Sequence, residues 1–182
     1  MSIRRRLTEW LSGLVGNTDR TGRVHARREE DVVVFVVGMR INALWKIHRW
    51  LPVFLAAPRM VRELRRDADS GLLGGWGFAS PLRTVGFVQY WESFDALKAY
   101  ARDSDHLHLE AWREYNEQAS EGAVGIWHET YRVSADDYET VYYETPPRGL
   151  GAAAGSELVD ATGRRATAAG RLDGADETPP DL

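Results

Sequence analysis

Between Val32 and Ile41 apolar residues fill both parities of the chain. Val33, Phe35, Val37, Met39 and Ile41 make one face, and Val32, Val34 and Val36 begin the other before Arg40 and Asn42 end it. That pattern predicts a strand covered on both sides. The period then becomes helical from about Leu44 to Arg66, where Val53, Ala57, Met60 and Leu64 share a face, Pro52 opens a second part and Pro58 kinks it. A glycine-rich strand or hairpin follows at Leu72 to Phe78, then a strand from Thr84 to Trp91. Ser93 is placed to cap a helix that turns Phe94, Leu97 and Tyr100 or Ala101 inward. A further helix is expected from about Asp105 to Ala119, a strand from Val124 to Val133, and a short edge at Glu139 to Tyr143.

Strand, helix, strand, strand, helix, strand is the order of a ferredoxin-like βαββαβ unit, an α+β fold with helices on one face of an antiparallel sheet. The predicted strands are apolar on both parities. Val85, Phe87 and Trp91 oppose Val88 and Tyr90, and Trp127 and Tyr131 oppose Val124 and Ile126. Helices cover one such face, and the simplest cover for the other is a second copy of the chain, so a homodimer is expected.

The ends read differently. Ile3, Leu7, Trp10, Leu11 and Leu14 form the stripe of an amphipathic helix behind Arg4, Arg5 and Arg6, and Glu9 is out of place in a signal peptide. Residues 1–29 are therefore taken as this helix and a linker. Docking on the domain or a partner subunit is favoured over contact with a membrane surface. After Pro146 and Pro147 the sequence turns to Gly, Ala, Thr and acidic residues, and aromatics are absent from Leu150 onward. The expectation is a domain over 30–147 and a disordered tail over 148–182.

Composition narrows the chemistry. A formal net charge of -4 provides no basic field for a nucleic acid. The absence of cysteine excludes thiolate catalysis, disulfides and iron–sulfur clusters, and suits a reducing cytoplasm. Any metal must be held by His, carboxylate or Tyr. The glycines at 71, 74, 75 and 77 match no dinucleotide or Walker pattern, and no Gly-x-Ser-x-Gly elbow occurs.

The stretch Val34 to Asn42, then Trp50-Leu51-Pro52, Gln89-Tyr90-Trp91, His106 through Trp112, and Gly125 to Tyr131 resembles a monooxygenase-like family of the dimeric α/β-barrel superfamily. The resemblance spans Val32 to Pro147. It implies a ferredoxin-like dimer with a small-molecule pocket, but not one chemistry. The superfamily includes cofactor-free antibiotic-biosynthesis monooxygenases, haem-degrading enzymes, and the haem proteins spheroidene monooxygenase and aldoxime dehydratase.

By similarity to spheroidene monooxygenase, His106 is the candidate axial ligand of a haem. The helical stripe of Trp112 and Tyr115 instead favours His108, so either histidine is a candidate metal ligand. Arg40 is the candidate partner for a haem propionate or a substrate carboxylate. His128 has the parity of Val124 and Ile126 and points into a layer away from Trp127, as a ligand, an acid/base or a core histidine. Three functions remain open. One is a haem-dependent monooxygenase acting on a small apolar or aromatic substrate. A second uses no cofactor, with His128, Trp91 and Asn42 orienting an electron-rich substrate that activates oxygen itself. The third is a non-catalytic binding or dimerisation module.

Overall fold

The computed structural model describes residues 22–81, 83–102, 115–116 and 122–172. Its main sheet has four antiparallel strands in the order β3-β4-β2-β5, where β2 is Val32–Ile41, β3 Leu72–Ser80, β4 Thr84–Trp91 and β5 Val124–Val133. This is the ferredoxin-like connectivity, with helix α1 (Ile47–Leu64) joining β2 to β3 and helix α2 (Phe94–Arg102) following β4. The Ser93 hydroxyl accepts a hydrogen bond from the Ala96 amide at 3.0 Å, so the predicted cap is present. Helix α1 runs unbroken through Pro52 and Pro58 although each removes one rung of its ladder. Packing holds it at both ends, with Trp50 and Val53 on a cluster of Met39, Ile41 and Val124, and Leu64 in a cluster with Val33, Trp91, Leu97 and Tyr100. Of the helix expected at 105–119, Tyr115 and Asn116 are described; both are helical, and Tyr115 packs on the Met39 cluster.

A second, three-stranded sheet departs from the expected organisation. Strand β1 (Arg23–Arg27) lies inside the stretch read as a linker, and pairs antiparallel with β6 (Tyr142–Tyr143) and with β7 (Glu157–Asp160). The disorder expected from 148 onward does not hold for 149–172. That segment carries a 3-10 turn at Gly149–Ala152, strand β7, a second turn at Gly163–Ala166 and the short helix α3 (Ala168–Leu172). Leu150 and Ala153 are buried with Ala26 and Val32, against Leu73, Tyr90 and Tyr142. Small side chains account for the difference: a Cβ on Gly74 would stand 3.2 Å from the Ala153 Cα. The segment needs no aromatic of its own because it fits against aromatics already in place. The Tyr142 hydroxyl secures it, donating to the Arg148 carbonyl at 2.7 Å and accepting from the Gly151 amide at 2.9 Å. The N-terminal amphipathic helix expected before residue 22 and the last ten residues of the expected tail lie outside the described residues.

The second sheet covers one end of the main-sheet face turned away from α1 and α2. At the other end Trp76, Phe78 and Trp127 form an aromatic stripe, with the Phe78 and Trp127 ring centroids 6.2 Å apart. Two glycines bring the stripe close to the backbone. A Cβ at Gly38 would meet the Trp127 ring at 2.7 Å, and one at Gly86 would meet both the Phe78 ring and the Val37 carbonyl at 2.5 Å. Trp76 and Tyr131 remain exposed at the margins.

Candidate active site

The side chains of β2, β4 and β5 that face the helices are fixed by register. Val37 stands opposite Phe87 on β4 and opposite His128 on β5, and Gly77 stands opposite Phe87 on β3. Above this row the sheet is occupied by the Trp91 cluster, and below it by the Met39 cluster. Val37, Phe87 and His128 belong to neither. Among the described residues they make a row between two packed regions, a trough in the packing of the sheet, and Gly77 adds no side chain to it. The His128 imidazole is exposed, with the Phe35 ring centroid 5.5 Å away at an interplanar angle of 43°. Gln89 faces the trough from the next row, beside Phe35, and its Oε1 accepts a 3.0 Å hydrogen bond from the Trp91 indole N–H.

A separate cavity of about 370 Å³ lies on the second sheet, where His25, Arg28, Tyr138, Glu139, Arg165 and Arg171 contribute to its wall. His25 is buried, its Nδ1 3.1 Å from the Ala26 carbonyl oxygen, and its Nε2 has no partner. Burial, and then the charges of Arg165, Arg171 and Arg27, lower its pKa below the ordinary value of 6.5, while the Ala26 carbonyl opposes the shift. A depressed histidine pKa means that the unfolded chain takes up a proton which the folded chain resists. Stability from this group is thus fully present above pH 6.5 and lost as the pH falls toward the folded-state pKa. The melting temperature should drop on acidification from neutrality, and His25→Gln should flatten that slope. An unchanged slope in the variant would assign the acid lability elsewhere.

The model of the monooxygenase af470-like family matches residues 32–150, from the first residue of β2 to the turn that follows β6. The chain belongs to that family. Monooxygenase af470 of Aspergillus fumigatus is 30% identical over 167 residues, covering 82% of this chain and 54% of that protein, so the chain spans about half the length of this curated relative. Among solved structures, aldoxime dehydratase shares the fold, with a TM-score of 0.53 at 17% identity over 78% of this chain and 41% of the other. SnoaB, a cofactor-independent oxygenase from Streptomyces nogalater, aligns at a TM-score of 0.41 and 12% identity, over 56% of this chain and 91% of its own.

In this af470-like chain the residues singled out from sequence are distributed unevenly. His128 has the expected parity and faces the helix side, but it is exposed in the trough rather than buried. Trp91 shares that face two rows away and is fully buried, so its role there is to pack and to hold Gln89. Asn42 lies just past the end of β2, where its Nδ2 donates to the Gly122 carbonyl at 3.1 Å and ties that strand end to the loop before β5. Arg40 is exposed, with Thr84 and Gly125 as its cross-strand partners, on the sheet face opposite His128. His106 and His108 lie outside the described residues. Gln89, Phe35 and Phe87 were missed as site residues. Their signal was the odd parity of β2 and β4, which places them on the helix side with Val37.

Haem was expected to use His106 or His108 together with Arg40. Among the described residues no three His or carboxylate side chains gather to hold a metal ion. Arg40 and His128 lie on opposite sides of the sheet, so the two do not serve one site. The candidate haem ligands His106 and His108 are not among the described residues. No described helix is long and apolar enough to cross a membrane.

Proposed function

We propose that this chain is a cofactor-independent monooxygenase acting on a small, electron-rich aromatic substrate, and that it works as a homodimer in a reducing cytoplasm. The observation that carries the reading is His128, an accessible imidazole on an otherwise apolar floor of Val37, Phe87 and Phe35. Membership of the monooxygenase af470-like family supports a monooxygenase reaction. A flat aromatic substrate fits against Phe35 and Phe87, and Gln89, held by Trp91, offers its amide to a substrate oxygen. Asn42 acts at one remove, by fixing the strand end.

In this mechanism His128 removes a proton from an acidic hydroxyl or methylene of the substrate, leaving an anion that gives one electron to dioxygen. The substrate radical and superoxide combine into a carbon-bound peroxide. The imidazolium returns its proton to this peroxide, and the remaining C–H proton is then removed as the O–O bond breaks and hydroxide leaves, so that a CH2 group and O2 become a carbonyl and water. The protein contributes the base and an apolar floor against which the substrate ring lies.

The test is oxygen uptake by the full chain with an anthrone as probe, before and after treatment with chelator. The expected result is turnover that survives the chelator and falls by about 10²-fold or more in His128→Ala, the usual contribution of a general base. Turnover unchanged in His128→Ala would overturn the assignment. A saturable, shifted Soret band on haemin titration, with activity only in the haem-loaded protein, would replace it with the haem reading.

The aromatic stripe supports the dimer. Light scattering should give twice the 20.5 kDa chain mass, and Trp127→Lys should yield a folded monomer by placing a charge among the rings. A wild-type monomer would refute the shared face.

A further inference from the structure

An ordinary surface helix turns mainly polar residues to water, but α1 exposes large apolar ones as well. Its outward positions follow the helical period from Ile47 through Leu51 and Leu55 to Arg59 and Arg62, with Phe54 beside Leu55. The inward face is also apolar, since Trp50 and Val53 pack on the Met39 cluster. Trp45, just before the helix, is 77% exposed and Ile47 54% exposed, with Leu44 next to them. From Leu51 onward the outward face is segregated, apolar over Leu51, Phe54 and Leu55 and cationic at Arg59 and Arg62, while the first turn exposes His48 beside Ile47. From Leu44 to Arg62 the sequence contains no Asp or Glu. Arg59 and Arg62 are exposed and have no ion pair among the described residues. Neither helix-side cluster of the core draws on Ile47, Leu51, Phe54 or Leu55, and the aromatic stripe lies on the opposite side of the sheet.

We propose that this face of α1 docks on an anionic lipid surface, with Trp45, Ile47, Leu51, Phe54 and Leu55 at the acyl boundary and Arg59 and Arg62 on the headgroup phosphates. The charge pattern selects this occupant. A bilayer leaflet presents a continuous apolar layer beside a continuous layer of phosphate, in the same side-by-side order as the helix presents apolar residues and arginine. An exposed indole at the margin suits the interface between them. The helix enters such a surface obliquely by its N-terminal half rather than crossing it, because Arg49, Arg59, Arg62 and Glu63 make it too charged to span. Binding is reversible and sensitive to salt, as a single apolar face with a few cations allows.

The experiment is cosedimentation of the full chain with vesicles of phosphatidylcholine and phosphatidylglycerol, compared with phosphatidylcholine alone. Wild type should partition onto the anionic vesicles and be released by salt. Arg59→Gln and Arg62→Gln should each weaken partitioning about fivefold, and Leu51→Ser with Leu55→Ser should abolish it. Circular dichroism checks that the helix persists, and Trp45→Ser repeats the test outside the helix should the leucine variants not fold. Absence of cosedimentation overturns the proposal. So does cosedimentation that the arginine and leucine variants retain, which would assign binding to another element. Variants that change only the mass seen by light scattering would also overturn it, and would assign the face to a second copy of the chain.

Discussion

A chain cut back to Pro147 is expected to lose most of its cooperative stability. Removal of the following residues takes Leu150 and Ala153 out of the cluster they share with Ala26 and Val32, and deletes β7, the partner of β1 along Val24 to Arg27. Leu150 alone contributes about 1.5–3 kcal/mol through burial. Its loss exposes Leu73 and Tyr90 beneath it, and β1 is left with β6 alone among the described strands. Against a total of about 5–15 kcal/mol for a domain, the combined loss is a large fraction of the whole. Urea denaturation of the truncated and full chains measures it, and limited proteolysis of the full chain should spare residues 149–172. A truncated chain with an unaltered midpoint would show that the second sheet contributes nothing to the first.

Trp91→Ala should destabilise the protein by about 3–5 kcal/mol, the range for truncating a large buried aromatic. Its ring is wholly buried and packs on Val33, Leu64 and Leu97, with the Tyr100 ring centroid 5.8 Å away. The site is walled by β2, β4, α1 and α2 together, so little of the cavity can be closed by relaxation. Trp91→Phe preserves much of the packing but leaves the Gln89 Oε1 without its donor, costing about 1 kcal/mol more than the lost volume alone. The two variants separate packing from positioning. Trp91→Ala should move the denaturation midpoint strongly, whereas Trp91→Phe should disturb substrate binding more than stability if Gln89 is part of the site. Equal and small shifts in both would show that the ring is dispensable to the core.

The main sheet was legible because its strands carry long apolar runs. The ends expected for β2, β4 and β5 coincide with those observed, since Arg40-Ile41-Asn42, Trp91-Glu92-Ser93 and Val133-Ser134 each mark a sharp fall in apolar content. The second sheet was not legible. In β1, Val24 and Ala26 do alternate with Arg23, His25 and Arg27, but five residues flanked by charge give a weak signal, and β7 has only Leu158 and Val159. Each is a strand because the other is there to pair with it, a tertiary cause that no local pattern records. Parity likewise gave the face of His128. Its exposure depended on where α1 and α2 come down on the sheet, and the same register placed Arg40 on the far side.

The pairing of β1 with β7 also orders events in time. The four strands of the main sheet and their helices are contiguous from Val32 to Val133, so they can assemble while later residues are still being synthesised. The clasp between Arg23–Arg27 and Glu157–Asp160 closes a loop that encloses that whole unit, and it forms only after the last of these residues has emerged. Folding should therefore show two phases, a faster one reporting the Trp91 core and a slower one reporting β1. Until the slower phase is complete, Ala26, Val32 and Tyr90 are left open to contact with other chains.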